Sequence, residues 1–248
     1  MIWRERGELR WLEAGLPNAT AVFSTRLGGV SRPPFEGLNL GLVPGDDPDA
    51  VRSNRTRLAG ALGLDPHAVV IGKQVHGAGL AAHDGPEETA PFADGTIEPP
   101  AVDGHYSAVP GLALMIFAAD CLPIALSGRE GVAMLHAGWR GLAAGIVGRG
   151  AAAVAADAAA VGPAIGPCCY EVGSDVLDAL DPLDLGAGVA DGPMLDLPEV
   201  ARRLLRRAGV RNVAVSDLCT RCNPDLLFSH RGEGPRTGRQ AGIVWRSD

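Results

Sequence analysis

The apolar segment at 112–119 constrains the fold of this 248-residue chain more than any other feature. Its sequence, Leu-Ala-Leu-Met-Ile-Phe-Ala-Ala, has no polar side chain on either face of an extended backbone. Successive side chains of a strand point to opposite faces of the sheet, so a run that is apolar throughout is typical of a strand covered on both sides. The segment therefore predicts a buried strand.

Two further apolar segments, 124–126 and 131–135, predict a pair of strands joined by a hairpin loop at 127–130. If the loop consists of those four residues, Leu126 faces Gly131 on the neighbouring strand. Antiparallel pairing then continues outward from this pair, one residue at a time on each strand. The length assigned to the loop thus determines the register of the whole hairpin.

In that register Cys121 faces His136, with Cβ atoms about 5 Å apart, a separation that suits two ligands of one zinc ion. Pro123 weakens the assignment, because proline cannot donate a hydrogen bond to a neighbouring strand. A slip of one residue would place the two side chains on opposite faces.

Three metal-capable side chains, His76, Cys121 and His136, each follow a short apolar run. A catalytic zinc ion takes three protein ligands and leaves a fourth position for water or substrate, and two imidazoles with one thiolate match that pattern. Taken singly, each residue is more often part of a core, and the dispersed spacing lacks the compact signature of known zinc motifs. The set as a whole favours an enzyme.

Two other interpretations of these residues remain open. Cys121 beside His136 is also the arrangement of a nucleophilic hydrolase or amidase that needs no metal. Copper is chemically possible at a mixed nitrogen and sulfur site, but the six histidines of the chain include no His-x-His pair and do not support a multicopper relay. The His-x-Glu and Pro-Cys-x-x-Cys motifs of zinc nucleobase deaminases are absent from the sequence.

Charge and composition restrict the class of function. The formal net charge of −7 and an isoelectric point near 5.4 argue against a nucleic-acid or anionic-membrane surface and favour small-molecule substrates. Residues 1–8 carry charges where a secretory signal needs an apolar core, and no segment approaches the length of a membrane span. We therefore expect a cytoplasmic protein, and the sequence predicts no oligomeric state.

Five cysteines are an odd number in a chain with no export signal, which favours thiol or metal chemistry over a disulfide framework. Besides Cys121, the Cys-x-x-Cys pair of Cys219 and Cys222 is a second candidate for a structural zinc site or a redox pair, joined by Cys168 or Cys169. The pair lacks both a second Cys-x-x-Cys and a thioredoxin-like context. Structural thiols are therefore favoured over a second metal.

Two loops combine arginine with turn residues and are candidates for anion binding. Arg26 precedes a turn at Gly28 and Gly29, where a guanidinium and backbone N–H groups together suit an anion. An ordinary turn with a surface arginine is the simpler alternative. Segments 229–231 and 236–240 form the second candidate, which a solvated terminal loop explains equally well.

The remaining pattern predicts helices, strands and loops without an internal repeat or a linker. Apolar residues have helical spacing at 49–64, and Asp196 with Glu199 forms a capping box for a later helix. The loop at 78–104 is expected to form part of a pocket wall. The other assignments are strands at 21–25, 68–71, 213–215 and 226–229, helices from 141 to about 158, at 175–180 and at 201–208, and a loop at 231–242.

Together these segments resemble the laccase-domain family, whose members are also labelled multicopper polyphenol oxidases, purine nucleoside phosphorylases and, in some cases, peptidoglycan editing factors. The most specific motif begins at His136 and reads His-Ala-Gly-Trp-Arg-Gly. The matching motifs cover nearly the whole chain in order. They lie at 23–31, 38–41, 74–77, 103–104, 119–123, 136–141, 162–173, 225–231 and 237–242.

The resemblance implies one domain spanning 1–248, of the α/β (α+β) class, built as an alpha-beta sandwich with a mixed β-sheet and similar to cytotoxic-necrotizing-factor-like hydrolases. It also implies zinc, with copper as the weaker alternative, on His76, Cys121 and His136, which would be the catalytic residues. Where the family often has two consecutive arginines, this chain has Arg231 followed by glycine, which puts any role of the second arginine in doubt.

The implied activity is phosphorolysis of adenosine, inosine and methylthioadenosine, with adenosine deamination as a second reaction, so purine nucleosides and phosphate are the expected partners. Because an acidic protein must concentrate positive charge locally to hold phosphate, we expect Arg26, Arg140 and Arg231 to contact phosphate or substrate. Asp120 either orients a ligating histidine or acts as a packing or capping carboxylate. Hydrolytic editing of peptidoglycan precursors is the alternative activity.

Overall fold

The computed structural model describes residues 1–42, 45–86, 90–94 and 98–247. Its strands are β1 (Ile2–Arg6), β2 (Leu9–Leu16), β3 (Ala19–Ser24), β4 (Val69–Val70), β5 (Leu80–Ala82), β6 (Gly104–Ser107), β7 (Ala113–Ala118), β8 (Leu122–Gly128), β9 (Gly131–Ala137), β10 (Ala156–Val161), β11 (Ala190–Asp191), β12 (Met194–Leu195), β13 (Asn212–Val215) and β14 (Gln240–Arg246). Its helices are α1 (Pro48–Leu62), α2 (Pro91–Asp94), α3 (Trp139–Ala143), α4 (Ile146–Ala153), α5 (Ser174–Leu180), α6 (Leu197–Arg207) and α7 (His230–Glu233), with 3₁₀ turns at Pro66–Ala68 and Asp181–Leu183.

Two six-stranded sheets form the framework of the fold. The first has the strand order β1-β2-β3-β14-β7-β4, and the second has the order β13-β10-β8-β9-β6-β5. Most neighbouring strands run antiparallel, but β4 with β7, β5 with β6 and β13 with β10 are parallel pairs. The prediction of an α/β fold with a mixed β-sheet is confirmed.

The two sheets pack face to face, and helices cover their outer faces. Leu114 of β7 lies in one buried cluster with Met134 of β9, so the first sheet meets the second there. Met115, which points the other way from β7, packs with Leu58 of α1. On the second sheet, α4 and α6 contribute to a further cluster that includes Leu135 of β9. The layers are therefore helix, sheet, sheet and helix, and β7 is buried on both faces as its sequence predicts.

The hairpin of β8 and β9 has a different register from the predicted one. Its loop contains only two residues, so Gly128 faces Gly131 and Pro123 faces His136. Gly131 has a φ of 138°, and a Cβ atom there would lie 2.2 Å from the Ser107 carbonyl oxygen. Glycine at that position permits both the positive φ and the close approach of the β6 backbone. Cys121 thus precedes β8 and has no partner in the ladder, and its predicted pairing with His136 is wrong.

The helix predicted from 141 to about 158 is also partly wrong. The chain forms α3 and α4 and then enters β10, which lies between β8 and β13. Ala155 has a φ of 47°, which ends the helical path. Alanine fits a helix and a crowded sheet interior alike, so packing between two strands outweighs its helical propensity.

The last part of the chain departs from prediction twice. Residues 226–229 form no strand; instead, the Phe228 backbone N–H and C=O bind the side chain of Gln240 at 2.7 and 3.0 Å. The loop predicted at 231–242 contains most of α7 and the start of β14. The side-chain amide of Gln240 thus makes the two hydrogen bonds to the Phe228 backbone that a neighbouring strand would otherwise make.

Other element assignments agree with the structure. The helix at 49–64 is α1, and Asp196 is the N-cap of α6, since its carboxylate accepts the Glu199 N–H at 2.9 Å. The reciprocal half of a capping box is not formed, because the Glu199 carboxylate binds Arg202 and Arg203 and the Asp196 N–H donates to the Val189 carbonyl. Within the predicted loop at 78–104 the chain forms β5 and α2, while residues 87–89 and 95–97 lie outside the described residues. Among the helices described, none has the length and apolar character needed to cross a membrane.

Candidate active site

The structure brings His76, Cys121 and His136 together. One ligand atom from each residue lies within 4.8 Å of the other two. His136 belongs to β9, Cys121 immediately precedes β8, and His76 lies in the loop between β4 and β5. The exposure of these side chains rises from buried His136 through half-buried Cys121 to exposed His76, and all three line an open cavity.

Asp103 organises two of these three residues and was not assigned a role from the sequence. Its carboxylate accepts a hydrogen bond from Nδ1 of His136 at 2.8 Å. It also accepts the backbone N–H groups of Val75, His76 and Gly77 at 3.2, 2.9 and 2.7 Å. The left-handed backbone of His76, with a φ of 60°, helps these N–H groups converge on one carboxylate. The motif at 103–104 was the only signal for this residue in the sequence.

Gln74 fixes the other end of the His76 loop. Its side-chain amide donates to the Phe117 carbonyl at 2.6 Å and accepts from the Phe117 N–H at 2.8 Å. These two bonds attach the loop to the end of β7, next to the segment that leads to Cys121. His76 is therefore held between two strand ends, although its own side chain is exposed.

The thiol and the buried imidazole favour the charged forms of each other. Burial raises the pKa of Cys121, but the charge and hydrogen bond of His136, together with those of His76, outweigh burial and lower it to about 6. Burial lowers the pKa of His136, while Cys121 and Asp103 outweigh that effect and raise it to about 9. The site thus favours a thiolate, which is the form of cysteine that acts as a metal ligand or a nucleophile.

The donor set fits a single transition-metal ion. Zinc binds imidazole nitrogen and thiolate sulfur at about 2.0–2.3 Å, so ligand atoms within 4.8 Å of one another can share one ion. The hydrogen bond from His136 Nδ1 to Asp103 leaves Nε2 as the coordinating nitrogen, an arrangement common around metal-bound histidines.

Asp120 acts as the packing and capping carboxylate that the sequence left as one alternative. It accepts hydrogen bonds from Thr220 at 2.5 Å, Ser229 at 2.8 Å and the Arg231 backbone N–H at 2.7 Å. Its backbone has a φ of 95°, which turns the chain sharply before Cys121. Asp120 therefore ties the start of α7 to the thiol segment, while Asp103 orients the histidine.

Three arginines, Arg140, Arg231 and Arg239, line a cavity of about 540 Å³ that also contains the His76, Cys121 and His136 group. Arg140 stacks over the Trp139 ring with its guanidinium carbon 4.3 Å from the ring centroid. Among the described residues, none of the three forms a salt bridge with a carboxylate. Within the part of the chain that the structure describes, their charges are thus not paired directly with a carboxylate.

Arg26 lies outside this cavity. Its guanidinium donates to Glu233 at 2.8 Å and to the Pro224 carbonyl at 2.8 Å, and stacks on Phe228. The structure therefore does not bring Arg26 to the other predicted phosphate contacts. Arg239 lies in the cavity instead, within the segment 236–240 that the sequence offered as a possible anion loop.

A family model described as multi-copper polyphenol oxidoreductase laccase matches residues 20–247. The chain belongs to this laccase family. Two relatives are the purine nucleoside phosphorylases YfiH of Escherichia coli (strain K12) and SCO2081 of Streptomyces coelicolor. They are 39% and 42% identical, over 91% and 90% of this chain and 93% of each relative.

Solved structures of this laccase family have the same fold. YlmD from Geobacillus stearothermophilus superposes with a TM-score of 0.90 at 36% identity, covering 100% of this chain and 99% of that one. The YfiH protein of Bacillus licheniformis gives a TM-score of 0.89 at 33% identity, with 99% of both chains covered. Both extend the family assignment over the whole fold.

Proposed function

We propose that this protein is a zinc-dependent purine nucleoside phosphorylase acting on adenosine, inosine and methylthioadenosine, with adenosine deamination as a second activity. The names of its relatives support the phosphorylase class. The observation that carries the proposal is the cavity in which three arginines free of carboxylate partners, among the described residues, lie beside His76, Cys121 and His136.

Phosphate is the co-substrate that this arrangement suits. Guanidinium groups bind phosphate oxygens through paired N–H donors, and such charge-assisted bonds are stronger than neutral ones. Arg231 is held by its bond to the Glu171 carbonyl at 2.8 Å, and Arg239 by bonds to Thr237 and Gly238 at 2.7 and 2.9 Å. Because these arginines are already positioned, little side-chain entropy is lost when an anion binds.

The cavity also offers surfaces for a purine and a ribose. Trp139, Phe117 and Tyr170 line it, and aromatic rings are suited to stacking on a planar base. Burial, followed by the charges of Cys121 and Asp120, raises the pKa of Tyr170 to about 12. The phenol therefore stays protonated at neutral pH and is available to donate a hydrogen bond to a polar atom of the substrate.

His76, Cys121 and His136 would hold the zinc ion. A zinc ion held there would supply Lewis acidity, which could polarise the substrate and activate water for deamination. Asp103 keeps a proton on Nδ1 of His136 and so fixes the tautomer and the ring orientation. In phosphorolysis a phosphate oxygen bonds to C1′ of the ribose, the bond from C1′ to the purine nitrogen breaks, and the base departs with the electron pair and takes up a proton.

The test is to incubate the purified protein with inosine and phosphate and to measure hypoxanthine and ribose 1-phosphate. We expect both products in equal amounts, only when phosphate is present, and loss of turnover in Cys121→Ala. Adenosine without phosphate tests the second activity, because deamination would yield inosine. Turnover that is unchanged in Cys121→Ala, or that does not need phosphate, would contradict the phosphorylase.

A second candidate is a metal-free hydrolase or amidase acting on peptidoglycan precursors. The contacts of His136 with Cys121 on one side and Asp103 on the other favour it. In such a hydrolase the thiolate is the nucleophile, the imidazole is the base and the carboxylate orients the imidazole. Chelation separates the two candidates. A hydrolase of this type would keep its activity after the metal is removed, whereas the phosphorylase is expected to lose it and to recover it with zinc. A copper-dependent oxidase, the weakest alternative, would be restored by copper and not by zinc.

A further inference from the structure

The four cysteines outside the active site form one compact cluster. Cys168 and Cys169 lie between β10 and α5, whereas Cys219 and Cys222 lie after β13. The fold brings these two segments together so that all four sulfur atoms lie within 4.8 Å of one another. The sequence favoured structural thiols over a second metal because only one Cys-x-x-Cys is present, but it does not show that two adjacent cysteines complete the set.

The sulfur separations match metal ligands better than a disulfide. Cys222 Sγ lies 3.5 Å from Cys168 Sγ and 3.4 Å from Cys169 Sγ. Two thiolates on a tetrahedral zinc ion with bonds of about 2.3 Å are about 3.8 Å apart, whereas disulfide sulfurs are about 2.05 Å apart. A single Cys222 cannot bond to both neighbours in a disulfide, but all four thiols can share one ion.

The backbone around Cys219 is arranged as it is around a thiolate. The N–H of Gly166 donates to Cys219 Sγ at 3.3 Å. A backbone donor aimed at the sulfur stabilises a thiolate, which is the form of cysteine that binds a metal ion.

We propose that Cys168, Cys169, Cys219 and Cys222 bind a second zinc ion as a closed, four-thiolate structural site. Four protein ligands leave no open position for water or substrate, which distinguishes this site from the three-residue group in the cavity. Soft sulfur donors in a tetrahedral set favour zinc over magnesium, calcium or manganese.

This site would hold two walls of the catalytic cavity together. Tyr170, which lines the cavity, directly follows Cys169. Thr220, between the two later cysteines, binds Asp120 through its hydroxyl and the Ala164 carbonyl through its N–H at 2.9 Å. A metal that joins the two segments therefore maintains the position of Tyr170 relative to Asp120. The proposal does not depend on which reaction the cavity performs.

Metal analysis of the full chain, purified under reducing conditions and loaded with zinc, tests the proposal. We expect two zinc ions per chain in the wild type, one in Cys222→Ser and one in His76→Ala. Arg221→Ala is the matched control, because it changes the same loop without removing a sulfur, and it should retain two. Cys168→Ser is a second variant with one exposed thiol removed, and circular dichroism shows which variants fold.

Cobalt titration of the wild type provides a readout that needs no variant. Two equivalents should bind, and the sulfur-to-cobalt charge-transfer absorption of the four-thiolate site should be several times more intense than that of the cavity site, whose only thiolate is Cys121 among the proposed ligands. The proposal would be overturned if the wild type binds one zinc per chain and that zinc is lost in His76→Ala. Thiol titration that shows disulfides in the zinc-loaded protein would also overturn it. If Cys222→Ser loses one zinc while the zinc-loaded wild type does not cleave inosine, the structural site stands and the phosphorylase fails.

Discussion

The Asp103 carboxylate lies 2.8 Å from Nδ1 of His136 and also accepts the backbone N–H of His76 at 2.9 Å. One residue that is not itself a candidate ligand therefore orients one imidazole and fixes the backbone of the other. Because Nδ1 of His136 is used in this bond, Nε2 is the nitrogen available to a metal. The preorganisation of the site depends on Asp103 as much as on the three candidate ligands.

Asp103→Asn should lower zinc affinity at the cavity by about 10- to 100-fold, the usual cost of losing such a hydrogen-bond partner of a metal-bound histidine. The amide keeps the size of the side chain but removes the charge that raises the pKa of His136. Competition with a chromogenic chelator measures the affinity. Asp178→Asn changes an exposed carboxylate on α5 and should leave the affinity unchanged; equal affinity in the two variants would contradict the role of Asp103.

Gly138→Ala should impair the metal site through sterics alone. The φ of Gly138 is −80°, which alanine adopts readily, but an added Cβ would lie 3.0 Å from Cys121 Sγ and 3.4 Å from His76 Cδ2. We expect weaker zinc binding and reduced turnover in a folded protein. Isothermal titration of the apo protein with zinc measures the first effect.

Gly148→Ala is the matched control for this substitution. Gly148 lies in α4, and a Cβ there would meet nothing within 4 Å. It should leave zinc binding unchanged and raise the free energy of unfolding by up to about 1 kcal/mol, since alanine is favoured over glycine in helices. Equal zinc affinities in the two alanine variants would show that the space at Gly138 is not needed by the site.

The sequence predicted that His76, Cys121 and His136 come together, but not the geometry that assembles them. Apolar runs locate β7 and β9, and the ends of such strands are where His136 and the Cys121 segment are found. The predicted route for Cys121 was the hairpin register, which is wrong because the loop has two residues. The thiol reaches the imidazole instead through the left-handed turn at Asp120, and a single backbone angle leaves no hydrophobic pattern in a sequence.

Long-range polar contacts were the least predictable part of the site. Arg26 and Arg239 both lie in loops with glycine and look equivalent in sequence. Only the folded chain shows that Glu233, more than 200 positions away, binds Arg26, while Arg239 faces the cavity. Asp103 is similar, because its four partners come from two segments that pattern analysis does not connect.

Arg140→Met should raise the KM for phosphate at least tenfold, which corresponds to about 1.4 kcal/mol, because it removes a cation that faces the cavity without a carboxylate partner among the described residues. Initial rates with inosine at varied phosphate concentration measure the effect. Arg129→Met, in the exposed turn of the β8–β9 hairpin, is the control and should not change the KM.

Arg26→Met should lower thermal stability and leave the KM for phosphate near the wild-type value. A tenfold increase of this KM in Arg26→Met would return Arg26 to the phosphate site.

Glu233→Gln should remove a pH-dependent part of the stability that comes from the Arg26 contact. Burial raises the pKa of Glu233, but hydrogen bonds from Thr237 at 2.5 Å and from Arg26 at 2.8 Å, with the Arg26 charge, outweigh burial and lower it below the usual 4.5. A carboxyl whose pKa is lower in the folded state contributes stability above its unfolded pKa and loses that contribution as the pH falls through its folded pKa. The variant should therefore be less stable than the wild type at pH 7, and the difference should vanish in acid below the folded pKa.

Urea unfolding at several pH values measures this difference in stability, with Glu8→Gln as the exposed control. A difference between Glu233→Gln and the wild type that stays constant from pH 7 into that acid range would show that the charge of Glu233 does not stabilise the fold.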